Sequence, residues 1–166
     1  MEKSDVLKWL LGQAYRADKH KKRLDQRLEQ VRAEKTAPAG SHTYSFAPKG
    51  QTQSDGAAAP ILKQSDIEER IEEQKREIDR CVLRVMEIID YIPINDLDRE
   101  IFEMRHIDFW EWPTIEREIP MSKRQCMRRY NDAIDRLLQI PEIQKMVDEN
   151  EDAYLLWYAT KRRPKN

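Results

Sequence analysis

The sequence predicts an all-α protein, with a long N-terminal helical hairpin of the coiled-coil type and a C-terminal trihelical domain. Three observations predict this class. Charged residues make up 37% of the 166 residues and aromatic residues only 8%, a balance typical of helical bundles and coiled coils. Apolar residues recur at steps of three and four along most of the chain. Only four glycines are present, which argues against sandwiches, barrels and glycine-rich phosphate-binding folds.

Two long predicted helices each carry an apolar seam with a heptad rhythm. A 3.5-residue apolar period puts the repeated positions on one side of a helix, as coiled-coil packing requires. Polar Lys21 and Gln74 interrupt the seams, and such residues help to fix register and oligomeric state. The seam positions are Leu7, Leu10, Ala14, Ala17, Lys21, Leu24, Leu28 and Val31 in the first helix, and Ile67, Ile71, Gln74, Ile78, Cys81, Val85, Ile88 and Ile92 in the second.

The segment 36–64 separates these helices and is predicted to be a flexible loop. It holds three of the four glycines and few charges, so it buries too little apolar surface to offset its ordering entropy. Ser65 and Glu68 form a capping-box pattern that predicts the start of the second helix. Residues 16–35 are basic and residues 66–79 acidic, so the two stretches attract each other in an antiparallel hairpin. Pairing within one chain and homodimerisation through the same seams both stay open.

Three shorter helices are predicted after Pro93, which ends the second long helix. Asn95 is the predicted N-cap of the first of them. Pro113 opens a short second helix, because proline suits the first helical position. Pro120 forces a turn, and the pair Ser122 and Gln125 forms a capping box that opens the third helix. Two short helices joined by a tight turn have the layout of a helix-turn-helix.

The third helix has the composition of a DNA-recognition helix. Between Ile119 and Asn131 the chain carries four positive charges and no negative ones. Apolar residues recur on the opposite side, so one face packs and the other presents cations near the helix N-terminus, which enters the major groove first. Arginine pairs bidentately with guanine, and glutamine with adenine. The predicted DNA-binding residues are Ser122, Lys123, Arg124, Gln125, Arg128 and Arg129.

The residues 98–107 resemble the first helix of region 4 of bacterial sigma factors. The runs 114–116 (Thr-Ile-Glu) and 121–124 (Met-Ser-Lys-Arg) resemble the helix-turn-helix that follows it. Small phage regulators of late transcription, the ArpU-like group, are similar in this part. A related phage family is similar in its whole order of long helix, linker, second helix and helix-turn-helix, from about Leu7 to Leu138. The resemblance implies that Lys123, Arg124, Gln125 and Arg128 contact promoter DNA.

Three positions depart from the sigma-like pattern. Pro120 stands where the motif usually has a turn glycine, and Glu116 stands where a small residue lets the helices approach. Arg129 replaces a residue that is often apolar. We hypothesise that Glu116 and Arg129 compensate each other as an ion pair.

The predicted domain boundaries are 1–92 for the coiled-coil arm, 93–140 for the sigma-like unit, and 141–166 for a helical extension with a basic tail. In the extension, Tyr154, Trp157 and Tyr158 are predicted to pack back on the trihelical unit. The alternative is a docking surface for a partner such as RNA polymerase. The basic end, 161–165, either adds phosphate contacts without sequence preference or serves as a disordered, solubilising tail.

No pattern for catalysis, a cofactor or a metal site is found. The histidines His20, His42 and His106 lie in different segments, and no Cys or His pair has metal-ligand spacing. Cys81 and Cys126 fall at apolar positions and are expected to be buried, reduced thiols, as in a cytosolic protein. No apolar run is long enough to span a bilayer, so no membrane partner is expected. We therefore expect a soluble, non-enzymatic, cytoplasmic protein, and the resemblance to phage regulators implies that the cell is a bacterial host.

The favoured hypothesis is a sequence-specific regulator of phage or prophage late genes that binds double-stranded DNA, with RNA polymerase as a second candidate partner. Two alternatives stay open. One is a DNA-packaging adaptor akin to a small terminase subunit, which also joins a helix-turn-helix to helical oligomerisation elements. The other is a polymerase- or sigma-binding protein whose trihelical unit does not touch DNA.

Overall fold

A computed structural model describes residues 2–36 and 58–161, with side chains for residues 2–33 and 62–161. These described parts contain eight α-helices and no strand, which confirms the all-helical class. Most of the predicted loop, 37–57, and the basic tail, 162–166, lie outside them. The helices are α1 (Lys3–Leu11), α2 (Gln13–Thr36), α3 (Ala58–Ile89), α4 (Leu97–His106), α5 (Trp112–Glu118), α6 (Lys123–Leu137), α7 (Pro141–Glu149) and α8 (Glu151–Lys161).

Gly12 divides the first predicted helix into α1 and α2, so the prediction of one uninterrupted helix is wrong. Glycine is a poor helix former because its backbone loses the most conformational freedom. The backbone nevertheless stays hydrogen-bonded across the break, from Gly12 N to Lys8 O at 3.1 Å and from Arg16 N to Gly12 O at 3.2 Å. A Cβ atom at Gly12 would lie 2.8 Å from the Arg16 guanidinium, so the glycine leaves room for that group.

The second long helix begins at Ala58, well before the predicted capping box. Ser65 is an exposed residue in the helix interior, so its predicted role as an N-cap is wrong. The alanines at 58 and 59 are the strongest helix formers, and Pro60 is tolerated in a first helical turn. The helix therefore extends into the segment 36–64, which its composition predicted to be a loop.

The cap of α4 is also one residue later than predicted. Asp96, not Asn95, is the N-cap, and its carboxylate accepts a hydrogen bond of 3.0 Å from the backbone amide of Asp98. Both residue types cap helices well, so local preference did not discriminate between the neighbours. Pro141 opens a new helix, α7, rather than merely closing α6.

The packing divides the chain into two compact units, of which the smaller spans Ala17–Glu77. Its apolar side chains from α2 (Leu24, Leu28, Val31) and α3 (Ile67, Ile71) form one buried cluster. Polar pairs join the same two helices. His20 Nδ1 lies 2.6 Å from Gln74 Oε1, and Arg32 Nη2 lies 3.3 Å from Glu68 Oε1. Gln74, predicted to interrupt the seam, therefore makes a polar contact between the helices.

The larger unit comprises the residues up to Arg16 and those from Ile78 onward. Both predicted domain boundaries, near residues 92 and 140, fall inside it. One continuous core joins α1, the end of α3 and the helices α4–α8. Its fully buried large side chains are Val6, Leu7, Leu10, Leu11, Val85, Ile88, Ile89, Ile101, Phe102, Ile115, Ile134 and Ile143. Cys81 and Cys126 are buried free thiols, as predicted.

Candidate nucleic-acid interface

The helix α6 starts directly after a tight turn that follows α5. Ile119 N bonds to Ile115 O at the end of α5, and Met121 N bonds to Ile119 O two residues later. Ser122 is the N-cap of α6 and Gln125 completes the capping box, which confirms this predicted helix start. Because the cap satisfies amide groups that have no partner inside the helix, it fixes where α6 begins.

The inner face of α6 is held by an aromatic cluster. The Tyr130 ring lies 4.7 Å from Phe102 of α4, centroid to centroid, and 5.4 Å from Trp112 of α5 in an edge-on arrangement. Such pairs add to the stabilisation from simple area burial. Tyr130 thus contacts both shorter helices at once. The buried residues of this face are Cys126, Tyr130, Ala133, Ile134 and Leu137.

A buried carboxylate joins α6 to the start of α4. The Asp98 side chain is 3% exposed, and its Oδ1 accepts a 2.6 Å bond from Arg129 Nε. Arg136, two turns further along α6, binds the other oxygen of Asp98. Arg129 also bonds Asp96 Oδ1 at 3.1 Å. The hypothesised Glu116–Arg129 ion pair is therefore wrong, since Arg129 pairs instead with Asp98 of α4 and with Asp96, the N-cap of that helix.

The outer face of α6 is cationic and open to solvent. Lys123, Arg124 and Arg128 are all exposed. Lys123 and Arg124 form no ion pair with any residue for which the structure gives a side chain. Arg128 has a single distant partner, Asp132 Oδ2 at 3.8 Å, and its side chain is 84% exposed. A contact between two such exposed groups contributes little, so these three cations are available to a partner.

The six predicted site residues thus fall into two groups. Lys123, Arg124 and Arg128 present exposed cations on the outer face, Arg128 with its distant contact to Asp132. Ser122, Gln125 and Arg129 instead make contacts within the protein. Gln125 Oε1 accepts 2.9 Å hydrogen bonds from both the amide and the hydroxyl of Ser122. Arg129 binds Asp98 of α4 and Asp96, the N-cap of that helix.

Two further residues belong to the outer face although they were not among the predicted site residues. Met127 is 40% exposed, and Asn131 is exposed one turn later. Together with Lys123, Arg124, Arg128 and Asp132, they line one shallow surface. The spacing 123–127–131 was a signal for this face, because residues four apart lie above each other on a helix.

The C-terminal aromatic residues do not cover this surface. Tyr154 and Trp157 of α8 pack against Trp9 of α1, with ring centroids 6.0 and 6.2 Å away. Arg16 lies over both indoles, 5.4 Å from Trp9 and 5.2 Å from Trp157. The cluster therefore folds back mainly on α1, and the prediction that it packs on the trihelical unit is wrong.

The aromatic cluster under α6 contains a buried histidine. His106 Nε2 lies 3.1 Å from the Tyr130 hydroxyl, and the imidazole is 7% exposed. Burial lowers the pKa of His106 to about 3, and the neighbouring charge of Arg105 acts in the same direction. Burial also raises the pKa of Tyr130 above its usual range. Both groups are neutral at neutral pH, which identifies His106 as a packed residue.

In the described segments, 2–36 and 58–161, no cluster of His, Cys, Asp and Glu could hold a metal ion. Within these segments, no helix combines the length and apolar character needed to cross a bilayer. Burial raises the pKa of the Cys126 thiol, which disfavours the reactive thiolate.

The chain matches no family model, no curated protein and no solved structure. Its function is therefore inferred from the residues of α6 and their surroundings.

Proposed function

We propose that this chain is a sequence-specific DNA-binding regulator that inserts α6 into the major groove. The observation that carries the proposal is the exposed cationic face of Lys123, Arg124 and Arg128. It supports the proposal because phosphate neutralisation supplies much of the affinity for duplex DNA, while arginine also reads guanine directly.

The support of α6 fits this role. A recognition helix must project from a rigid base, and α6 is capped at Ser122, packed through Tyr130 and tied to Asp98. The succession of α5, a tight turn and α6 is in keeping with a helix-turn-helix, with α4 as the third member of the unit. With the resemblance to sigma region 4 and the ArpU-like group, this favours regulation of phage or prophage late genes.

The smaller unit suits a coiled-coil arm. Its apolar residues from α2 and α3 are buried against each other within one chain, which supports an intramolecular antiparallel hairpin. The contact of Arg32 with Glu68 and that of His20 with Gln74 run in the order expected of antiparallel helices. In this arrangement the apolar seam is covered within one chain, so a second copy of the chain can bind it only if the hairpin opens.

The test is selection of binding sites from a random-sequence DNA pool, followed by affinity measurements over a salt series. We expect a preferred sequence and a linear loss of log affinity with log salt, with a slope of about −0.9 per phosphate contacted. Changing both Arg124 and Arg128 to Ala should weaken specific binding more than about tenfold, because each arginine contact is worth about 1–3 kcal/mol.

A matched control removes two exposed cations elsewhere, Arg84 on α3 and Lys145 on α7. This double variant should bind the selected sequence as the wild type does. Equal affinity of the Arg124→Ala/Arg128→Ala variant and the wild type would contradict the proposal. Capture of RNA polymerase by a chain with no affinity for duplex DNA would favour the polymerase-binding alternative, and ring-shaped oligomers the packaging alternative.

A further inference from the structure

On the outer face of α6, Met127 and Asn131 are neither cations nor capping residues. Both also line a second hollow with Trp112 and Tyr130, and both remain exposed to solvent. Met127 is 40% exposed and is surrounded by Lys123, Arg124 and Arg128 on the same shallow surface. An apolar side chain in the centre of a cationic face gains nothing from water. It gains from an apolar group presented by the partner.

The amide that can read a base is Asn131 rather than Gln125. Bidentate pairing with adenine uses the amide oxygen and the amide nitrogen of the same side chain. The Gln125 oxygen already accepts two hydrogen bonds from Ser122, at 2.9 Å each. The exposed Asn131 amide makes no hydrogen bond to any residue for which the structure gives a side chain, so both its atoms are available.

The spacing of the two residues matches adjacent steps of a duplex. Side chains four apart on a helix lie about 6 Å from each other. Successive base pairs rise by about 3.4 Å. Met127 and Asn131 therefore reach positions at most about two base pairs apart. In the major groove, thymine presents a methyl group and adenine a donor and an acceptor.

We propose that Met127 and Asn131 determine sequence specificity by reading an A·T-containing step. The Asn131 amide pairs with N6 and N7 of an adenine, and the Met127 side chain packs on the methyl group of a thymine at the same or a neighbouring pair. The inference rests on the proposed function of α6 and adds which bases the helix selects. Arginine and lysine around this pair supply the phosphate and guanine contacts.

The experiment uses the full chain and the duplex selected from the random pool. Thymines are replaced one at a time by deoxyuridine, which removes only the methyl group, and adenines by 7-deaza-adenine, which removes only the N7 acceptor. When the thymine that contacts Met127 is replaced, we expect the affinity of the wild type to fall about fourfold, because one buried methyl group is lost. At one adenine we expect a fall of about two- to tenfold, since half of a bidentate pair worth about 1–3 kcal/mol is lost.

Combining the base replacements with protein variants identifies which side chain contacts which base. The Met127→Ala variant should be insensitive to the critical deoxyuridine, and the Asn131→Ala variant to the critical 7-deaza-adenine. Such non-additivity is the mark of two groups in contact. Met86→Ala on α3, where the methionine is 42% exposed, and Asn95→Ala, also exposed, are the matched controls and should keep the wild-type sensitivity. Unchanged helical circular dichroism and thermal midpoints show that each variant is folded.

If the loss of affinity from each base replacement is as large in the Met127→Ala and Asn131→Ala variants as in the wild type, this inference is wrong. DNA binding by α6 would still stand. The same holds if no single thymine or adenine replacement weakens the wild type. If the wild type selects no sequence from the pool, the proposed function fails and this inference fails with it.

Discussion

Arg129 Nε lies 2.6 Å from Asp98 Oδ1 and so joins the cationic helix α6 to the first turn of α4. Asp98 is almost completely buried, and Arg136 binds its other oxygen. A buried carboxylate is tolerated only when its lone pairs are satisfied. Asp98 thus positions two arginines of α6, and only the cations on the other side of the helix stay free for a partner.

Replacing Arg129 by Met should destabilise the protein by about 1–3 kcal/mol. The change leaves the buried Asp98 with Arg136 as its remaining arginine, and a buried carboxylate that loses one of its hydrogen-bond donors is destabilised. The estimate stays below the usual value for a buried pair because the Arg129 side chain is 39% exposed. Urea unfolding followed by circular dichroism measures the effect. Arg128→Met, at 84% exposure, is the control and should change stability by less than about 0.5 kcal/mol. Equal stability of the two variants would refute the structural role given to Arg129.

The two serines with capping-box patterns should respond oppositely to alanine. Ser122 caps α6, so Ser122→Ala should cost about 1 kcal/mol of unfolding free energy. Ser65 is an exposed residue inside α3, where alanine is the better helix former, so Ser65→Ala should be neutral or slightly stabilising. Thermal and urea unfolding of both variants measure the difference. A similar loss in both would mean that α3 begins at Ser65 after all.

The buried His106 should make stability depend on pH. Its folded pKa of about 3 lies below the ordinary value of 6.5, so the unfolded chain binds the proton more readily. The contribution of the neutral imidazole is fully present above about pH 6.5 and is lost as the pH falls toward 3, by at most about 1.4 kcal/mol per pH unit.

Removing the imidazole isolates this effect from the titration of carboxylates. His106→Gln lacks the titrating group, so the stability advantage of the wild type over this variant should shrink as the pH is lowered from 7.5 to about 5.5. Tyr130→Phe keeps the buried imidazole and loses only its hydroxyl partner, so it should follow the wild-type slope. Parallel pH profiles for the wild type and His106→Gln would contradict the burial of a neutral imidazole.

Arg16 should control how firmly α8 is docked. Its guanidinium lies over Trp9 and Trp157 and donates to Trp9 O at 2.5 Å. Tyr154 is the buried residue of α8, whereas Trp157, over which Arg16 lies, is only partly buried. Arg16→Met should speed amide hydrogen exchange in 151–161 by about tenfold, the size of a partly desolvated cation–π contact, and leave α6 unchanged. Leu156→Ala, at 72% exposure, is the control. Unaltered exchange in α8 would show that Arg16 does not hold it.

The sequence by itself determined the helical class, the position of α6 and the separation of its faces. These follow from local rules, namely apolar spacing at Cys126, Tyr130 and Ile134 and the capping pair Ser122 and Gln125. The same rules misplaced the start of α3, because a capping pattern occurs wherever suitable residues stand three apart, inside a helix as well as before one. They misplaced the start of α4 by one residue, because Asn95 and Asp96 are both good N-caps.

Only the tertiary structure decided which candidate site residues are exposed to solvent and which are bound to other parts of the chain. Arg128 and Arg129 are neighbours of equal charge, yet Arg128 points to solvent while Arg129 binds Asp98, 31 residues earlier in the chain. The docking of α8 on Trp9 likewise joins the two ends of the described chain. Local periodicity contains no information about such distant partners, because an ion pair or a ring contact depends on how helices meet rather than on where they begin.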